Sequence, residues 1–116
     1  MKKSILIYSL EGCPYSQKAE KLLKYNNISH NVIKVYQEKK KDFIEKNKME
    51  TFPQIFYVNN GEKILIGGCS ELEQILKIKN KIKKNTQKYD KLINSKISDI
   101  SKNLLIKVLT LFLSNN

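Results

Sequence analysis

The chain has 116 residues, of which 41% are apolar and 28% charged, a size and balance that suit one globular domain with a short appendage. Its formal charge of +11 is carried by 22 lysines and no arginine, so the planar guanidinium fork favoured in base and phosphate recognition is missing and no specific nucleic-acid partner is expected. Two cysteines, Cys13 and Cys69, exclude a disulfide framework. The apolar run behind Lys2-Lys3 is also shorter than the roughly 7–15 residues of a signal segment, so a reducing, cytoplasmic compartment is expected.

Residues 4–10 carry Ile5, Ile7 and Tyr8 and predict a first strand. From Tyr15 to Tyr25 the apolar Ala19, Leu22, Leu23 and Tyr25 share one helical face, and Asn26-Asn27 supplies a stop. HNVIKVY, residues 30–36, predicts a second strand through Val32, Val35 and Tyr36. The lysine-rich stretch 39–49 reads as a short surface helix with Phe43 and Ile44 turned inward. QIFYV (54–58), Asn59-Asn60-Gly61 and EKILI (62–66) predict a hairpin, because Asn-Gly accepts the positive φ angles of a type I′ turn. After Gly67-Gly68-Cys69, Ser70 and Glu73 have the spacing of a capping box, which predicts a helix starting at Ser70. The order β-α-β-α-β-β-α describes an α/β sandwich, in which a parallel crossover and an antiparallel hairpin share one mixed four-stranded sheet.

From about residue 84 the character changes. Tyr89, Leu92 or Ile93, Ile97, Ile100, Leu104, Val108 and Leu111 recur at three- and four-residue spacings without Gly or Pro, which predicts one long amphipathic helix. Residues 1–84 are thus expected to form the domain and 85–116 a C-terminal helical extension. The apolar stretch 104–113 contains Lys107 and falls well short of the roughly 20 residues that span a bilayer, so no transmembrane segment is expected. Its stripe should bury against the domain or against a copy of itself in a homodimer. The lysine clusters 39–41 and 77–84 read as solvated helix faces, and His30 as a surface residue with no ligand partner at metal spacing.

GCPYS, residues 12–16, lies where the first strand gives way to the first helix. A cysteine on the first turn of a helix meets unpaired backbone N–H groups and the positive end of the macrodipole, which favour the thiolate, the nucleophilic form. Pro14 follows at a position that can do without its N–H and stiffens the turn.

Three motifs in order, Cys13-Pro14-Tyr15-Ser16, Thr51-Phe52-Pro53 and Gly67-Gly68-Cys69-Ser70, resemble those of glutaredoxins, the thioredoxin-fold enzymes that use glutathione. The resemblance runs from about Ile5 to about Lys81 and includes YS before the loop, KAEKLL after it, and PQIF and IGG in the hairpin. It implies a thioredoxin-like sandwich and a glutathione-dependent thiol–disulfide oxidoreductase, with Cys13 as nucleophile, Pro14 and Ser16 beside it, and glutathione as co-substrate. It further implies that Tyr15 lies against glutathione and that Thr51, Phe52 and Pro53 form the cis-proline loop, the main chain of Phe52 pairing with the cysteinyl part. Gly68, Cys69 and Ser70 would hold the γ-glutamyl carboxylate by their amides at a helix start.

The chain departs from the family pattern in two places. Ser16 replaces the second cysteine, which implies a monothiol cycle on protein–glutathione mixed disulfides, with the serine hydroxyl expected to donate to the thiolate. Leu10 stands where the family commonly has lysine, leaving Lys18, Lys46 or Lys48 as replacement cations. Cys69 is expected to fill space beside the Gly-Gly turn. A second function implied by one-cysteine glutaredoxins is a glutathione-ligated [2Fe–2S] cluster carrier bridging two subunits, against which Pro14 argues.

Overall fold

The structure, a computed structural model, describes residues 3–84 and 100–114. Strand β1 (Lys3–Leu10) is followed by helix α1 (Pro14–Tyr25), strand β2 (His30–Val35), a 3₁₀ turn (Gln37–Lys39) and helix α2 (Lys40–Asn47). Strands β3 (Gln54–Asn59) and β4 (Glu62–Gly67) form the hairpin, then come α3 (Cys69–Lys84) and, at the C-terminal end, α4 (Lys102–Ser114). The four strands make one sheet in the order β2-β1-β3-β4, with β1 parallel to β2 and the other pairs antiparallel. This is the mixed sheet and thioredoxin-like sandwich expected from the order of elements.

The alternation of β1 explains its central place. Ile5 and Ile7 enter one apolar cluster with Ala19, Leu23, Ile55, Tyr57, Leu72 and Ile75, under α1 and α3. Tyr8 and Leu10 point to the opposite face and pack with Val35, Phe52 and Phe56, against Phe43 and Ile44 of α2. Both faces of the strand are therefore covered, as a buried apolar strand requires. At the hairpin Asn60 and Gly61 adopt φ of 53° and 86°, the positive values of the predicted turn.

Several local expectations are corrected. Tyr25 does not join the buried face of α1 and is 87% exposed. Ser16, Ala19 and Leu23 form the buried line, and Tyr25, two residues past Leu23, is turned about 200° from it. Val32 and Tyr36 are exposed too, because β2 is an edge strand and only its last residue, Val35, reaches the cluster below α2. Helix α3 starts at Cys69 rather than Ser70. The Leu72 N–H donates to Gly68 O, and the Gly68 N–H donates to Glu71 Oε1 at 2.7 Å, so the carboxylate three residues on returns to the capping residue. Within the lysine cluster of α3, Lys79 is buried, its Nζ donating to Asn26 O at the end of α1.

The long C-terminal helix is not continuous. Ile100 and Ser101 are non-helical, and Ser101 caps α4 through its hydroxyl, which accepts from the Leu104 N–H at 3.2 Å. Tyr89, Leu92, Ile93 and Ile97 of the expected stripe lie outside the described residues. Leu104, Leu105, Val108, Leu109 and Phe112 pack into the same cluster as Ile5 and Leu72, so α4 buries its apolar face in its own chain.

Candidate active site

The strand-to-helix junction places Cys13. After Leu10 the chain turns through Glu11 and Gly12, the latter at φ of 74°, and the Cys13 N–H closes the turn on Leu10 O at 3.2 Å. Two bonds tie this loop to the end of β2 and the 3₁₀ turn behind it: the Glu11 N–H donates to Val35 O, and Gln37 Nε2 donates to Glu11 O. Cys13 is the N-cap residue of α1, with Pro14 as the first helical residue and no acidic side chain in the first turn. The positive end of the helix thus lies at Cys13 with no carboxylate of its own first turn opposing it.

Cys13 is partly exposed, and its thiol faces the carbonyl of Phe52 at 3.7 Å. Phe52-Pro53 is a cis peptide, so the expected cis-proline loop lies directly opposite the thiol. That loop is held by Gln54, fully buried, whose Nε2 donates to Met49 O while its Oε1 accepts from Asn47 Nδ2. The buried amide therefore fixes the chain between α2 and β3, and with it the position of Phe52 O.

Ser16 is differently placed from the expectation. It is fully buried, and its hydroxyl oxygen accepts from the Leu10 N–H at 3.1 Å, tying α1 to the end of β1. No hydrogen bond joins it to the Cys13 sulfur. Leu10 itself is buried in the apolar cluster that Cys13 also touches, so the position of the family's usual lysine is filled by packing. Of the candidate replacement cations, Lys18 pairs with Glu73 at 3.3 Å and Lys46 sits over the Phe43 ring.

The expected glutathione-contacting residues come together. Tyr15, Thr51, Phe52, Pro53, Gly68, Cys69 and Ser70 line one open groove of about 360 Å³, completed by Met49, Glu71 and Glu73. Tyr15 and Ser70 present exposed side chains to it, whereas Pro53 and Cys69 are buried in its floor. The two carboxylates were missed by sequence reasoning. Glu71 was concealed because the capping pair was sought two residues late, and Glu73 was assigned to the cap instead of to its i,i+4 neighbour Cys69.

Cys69 is a free thiol whose Sγ lies 3.8 Å from Glu73 Oε1. Burial pushes this thiol above its ordinary value, and the Glu73 charge and hydrogen bond push it the same way, with Lys18 opposing. His30 is half-buried with Nδ1 2.8 Å from Ile28 O, away from the groove, and no cluster of metal-ligating side chains is present among the described residues.

A partly exposed cysteine at a helix N-terminus, facing a cis-proline loop at the end of the two central strands of a mixed sheet, is the arrangement of thioredoxin-fold thiol–disulfide oxidoreductases. The glutaredoxin family model matches residues 5–64, and the chain belongs to the glutaredoxin family, whose members use glutathione as reductant. Glutaredoxin 1 of Rickettsia felis is 42% identical over 73 residues, covering 60% of this chain and 68% of the relative. Glutaredoxin 1 of Rickettsia prowazekii is 41% identical over 73 residues, covering 60% and 73% of the two chains. Among solved structures, glutaredoxin 1 from Francisella tularensis complexed with cacodylate superposes with a TM-score of 0.56 at 26% identity, covering 72% of this chain and all of that one.

Proposed function

We propose that the protein reduces mixed disulfides between glutathione and protein thiols by a monothiol cycle. The Cys13 thiolate attacks the glutathione sulfur, the protein thiolate leaves and takes up a proton, and a second glutathione thiolate then attacks the Cys13-bound glutathione. That step releases glutathione disulfide and restores Cys13. The observation that carries this reading is the partly exposed Cys13 at the N-terminus of α1, with a buried hydroxyl instead of a thiol at Ser16, bonded to the Leu10 N–H. No resolving thiol stands in the loop, so a second glutathione molecule fills that role.

Glutathione as the partner is supported by the groove beside Cys13, where the backbone at Phe52 and the start of α3 offer hydrogen-bonding groups to a short peptide. Glu71 occupies the Gly68 N–H, and the first turn of α3 at Cys69 and Ser70 is where the helix's positive end would favour an anionic group of the substrate. A carrier of a glutathione-ligated [2Fe–2S] cluster is the other reading of a one-cysteine loop; Pro14 at the first helical position stiffens that loop and supports the reductase. The part of the apolar stripe on α4 is buried in the chain's own core, which supports a monomer. No described helix is long and apolar enough to cross a membrane, and a reducing, cytoplasmic compartment would suit a cysteine that must return to its free thiol.

The test is glutathione-dependent reduction of a small mixed disulfide by the full chain. Cys13→Ser should lose the activity, because a hydroxyl without a partnering base is a poor nucleophile toward sulfur; retained activity ends the proposal. Reconstitution with iron, sulfide and glutathione checks the carrier: a brown dimer with weak reductase activity would put it in place of the enzyme.

A further inference from the structure

Cys69 lines the groove beside Cys13, and the monothiol cycle leaves it without a task. It is 5% exposed, and its Sγ donates toward Glu73 Oε1 at 3.8 Å, while Glu73 Oε2 lies 3.3 Å from Lys18 Nζ. Cys69 and Glu73 are four residues apart on α3, the spacing that stacks side chains on one helix face. Lys18 reaches across from α1, whose N-cap is Cys13. The charged and titratable groups that act on the Cys69 thiol are therefore Glu73 on its own helix, and Lys18 and Cys13 on α1. Glu71, which also lines the groove, turns its carboxylate back to the Gly68 N–H.

We propose that Glu73 is a positioning residue that holds Cys69 as a protonated thiol, through its hydrogen bond and its charge, so that Cys13, beside the groove, is the single nucleophile offered to a substrate there. This rests on the monothiol reading above. A thiolate at Cys69 would attack one sulfur of glutathione disulfide, form a Cys69–glutathione disulfide and expel a glutathione thiolate, leaving an adduct in the floor of the substrate groove. A thiol held to a carboxylate cannot attack until it has lost its proton. Burial and Glu73 both act in that direction, and the Lys18 cation acts against it. The acceptor geometry and the ion pair thus assign opposite duties to two side chains that touch each other.

The test uses the full-length protein with Glu73→Gln and Lys18→Met, side chains that are 40% and 52% exposed and so replaceable without disturbing the core. Alkylation at each cysteine is mapped by peptide mass as a function of pH. Both substitutions break the Lys18–Glu73 pair, so a bridge with only a structural task would move Cys69 in the same direction in both. Glu73→Gln should instead shift the Cys69 profile to lower pH by about half a unit to one unit, about three- to tenfold more thiolate at a fixed pH below the midpoint. Lys18→Met should shift it upward. After incubation with glutathione disulfide near neutral pH, the wild type should carry its adduct on Cys13 alone and Glu73→Gln on both cysteines. A Cys69 profile unmoved in Glu73→Gln, or moved the same way in both variants, overturns the assignment. Cys13 is read in the same digests: a wild-type Cys13 that takes no glutathione would sink the monothiol reading, while the opposed shifts at Cys69 still decide the role of Glu73.

Discussion

Ser16 is the residue at which the loop departs from a two-thiol site, and its surroundings set what a reversal would do. Ser16→Cys places a thiol where a hydroxyl oxygen accepts the Leu10 N–H, and sulfur is the weaker acceptor. The variant should be less stable by about 1 kcal/mol in a denaturant titration. It should keep reductase activity and, after mild oxidation, lose both Cys13 and the introduced thiol from a free-thiol count; two thiols still free would show that the buried position cannot reach Cys13. Cys69 carries a prediction in pH. Its folded-state pKa is raised by burial and Glu73, so the folded chain keeps a proton that the unfolded chain gives up. Its stabilising contribution is fully present below the ordinary thiol value of about 8.5 and is lost as pH rises through the raised folded value. Stability measured by chemical unfolding should fall with pH above about 8.5, and less steeply in Cys69→Ser; parallel slopes would refute the raised value.

At the scale of the element, the start of α3 depends on one close approach. Gly67 has φ of 142°, and a Cβ there would lie 2.6 Å from Glu71 Cγ, the side chain that caps Gly68. Gly67→Ala should therefore displace the cap and strain the backbone together, costing about 1–3 kcal/mol in thermal or denaturant unfolding. Glu71→Ala removes the cap alone and should cost less, about 0.5–1 kcal/mol. If both variants cost the same, the Gly67 conformation adds nothing beyond room for the carboxylate. Because the same turn borders the groove, Gly67→Ala should also weaken the apparent affinity for glutathione, measured as the concentration needed for half-maximal reduction.

At the scale of the molecule, the two apolar clusters divide the work. The cluster under α2 supports the Cys13 loop and the cis-proline loop, while the larger one joins β1, β3, α1, α3 and α4. Phe112 of α4 is fully buried in the larger cluster, so Phe112→Ala should cost about 3–5 kcal/mol, read as a lower unfolding midpoint. Phe112 does not line the groove, so the folded variant should keep its reductase rate. Removing residues 102–116 should expose Ile5, Leu72 and their neighbours and lower stability further, with association at high concentration as the readout. A truncated chain that stays monomeric with an unchanged midpoint would mean that α4 contributes no packing energy.

Much of this protein is legible from residue types in order. Positive φ demanded by Asn60-Gly61, alternating apolar residues in β1, and a cysteine followed by proline at a strand-to-helix junction are local signals, so the hairpin, the sheet and the place of Cys13 are set by sequence alone. Tertiary structure decided what depends on neighbours distant in the chain. Tyr25 and Val32 are exposed because no described element covers them, and Lys79 is buried because the end of α1 lies above it. The Ser16 hydroxyl is engaged by the Leu10 amide, and α4 starts from a Ser101 cap before packing on α3. The pairing of Glu73 with both Cys69 and Lys18 is of the same kind. A helical period places Glu73 near Cys69, but only the packing of α1 against α3 brings Lys18 to its other oxygen, since ion pairs between elements follow from distances that no local pattern encodes.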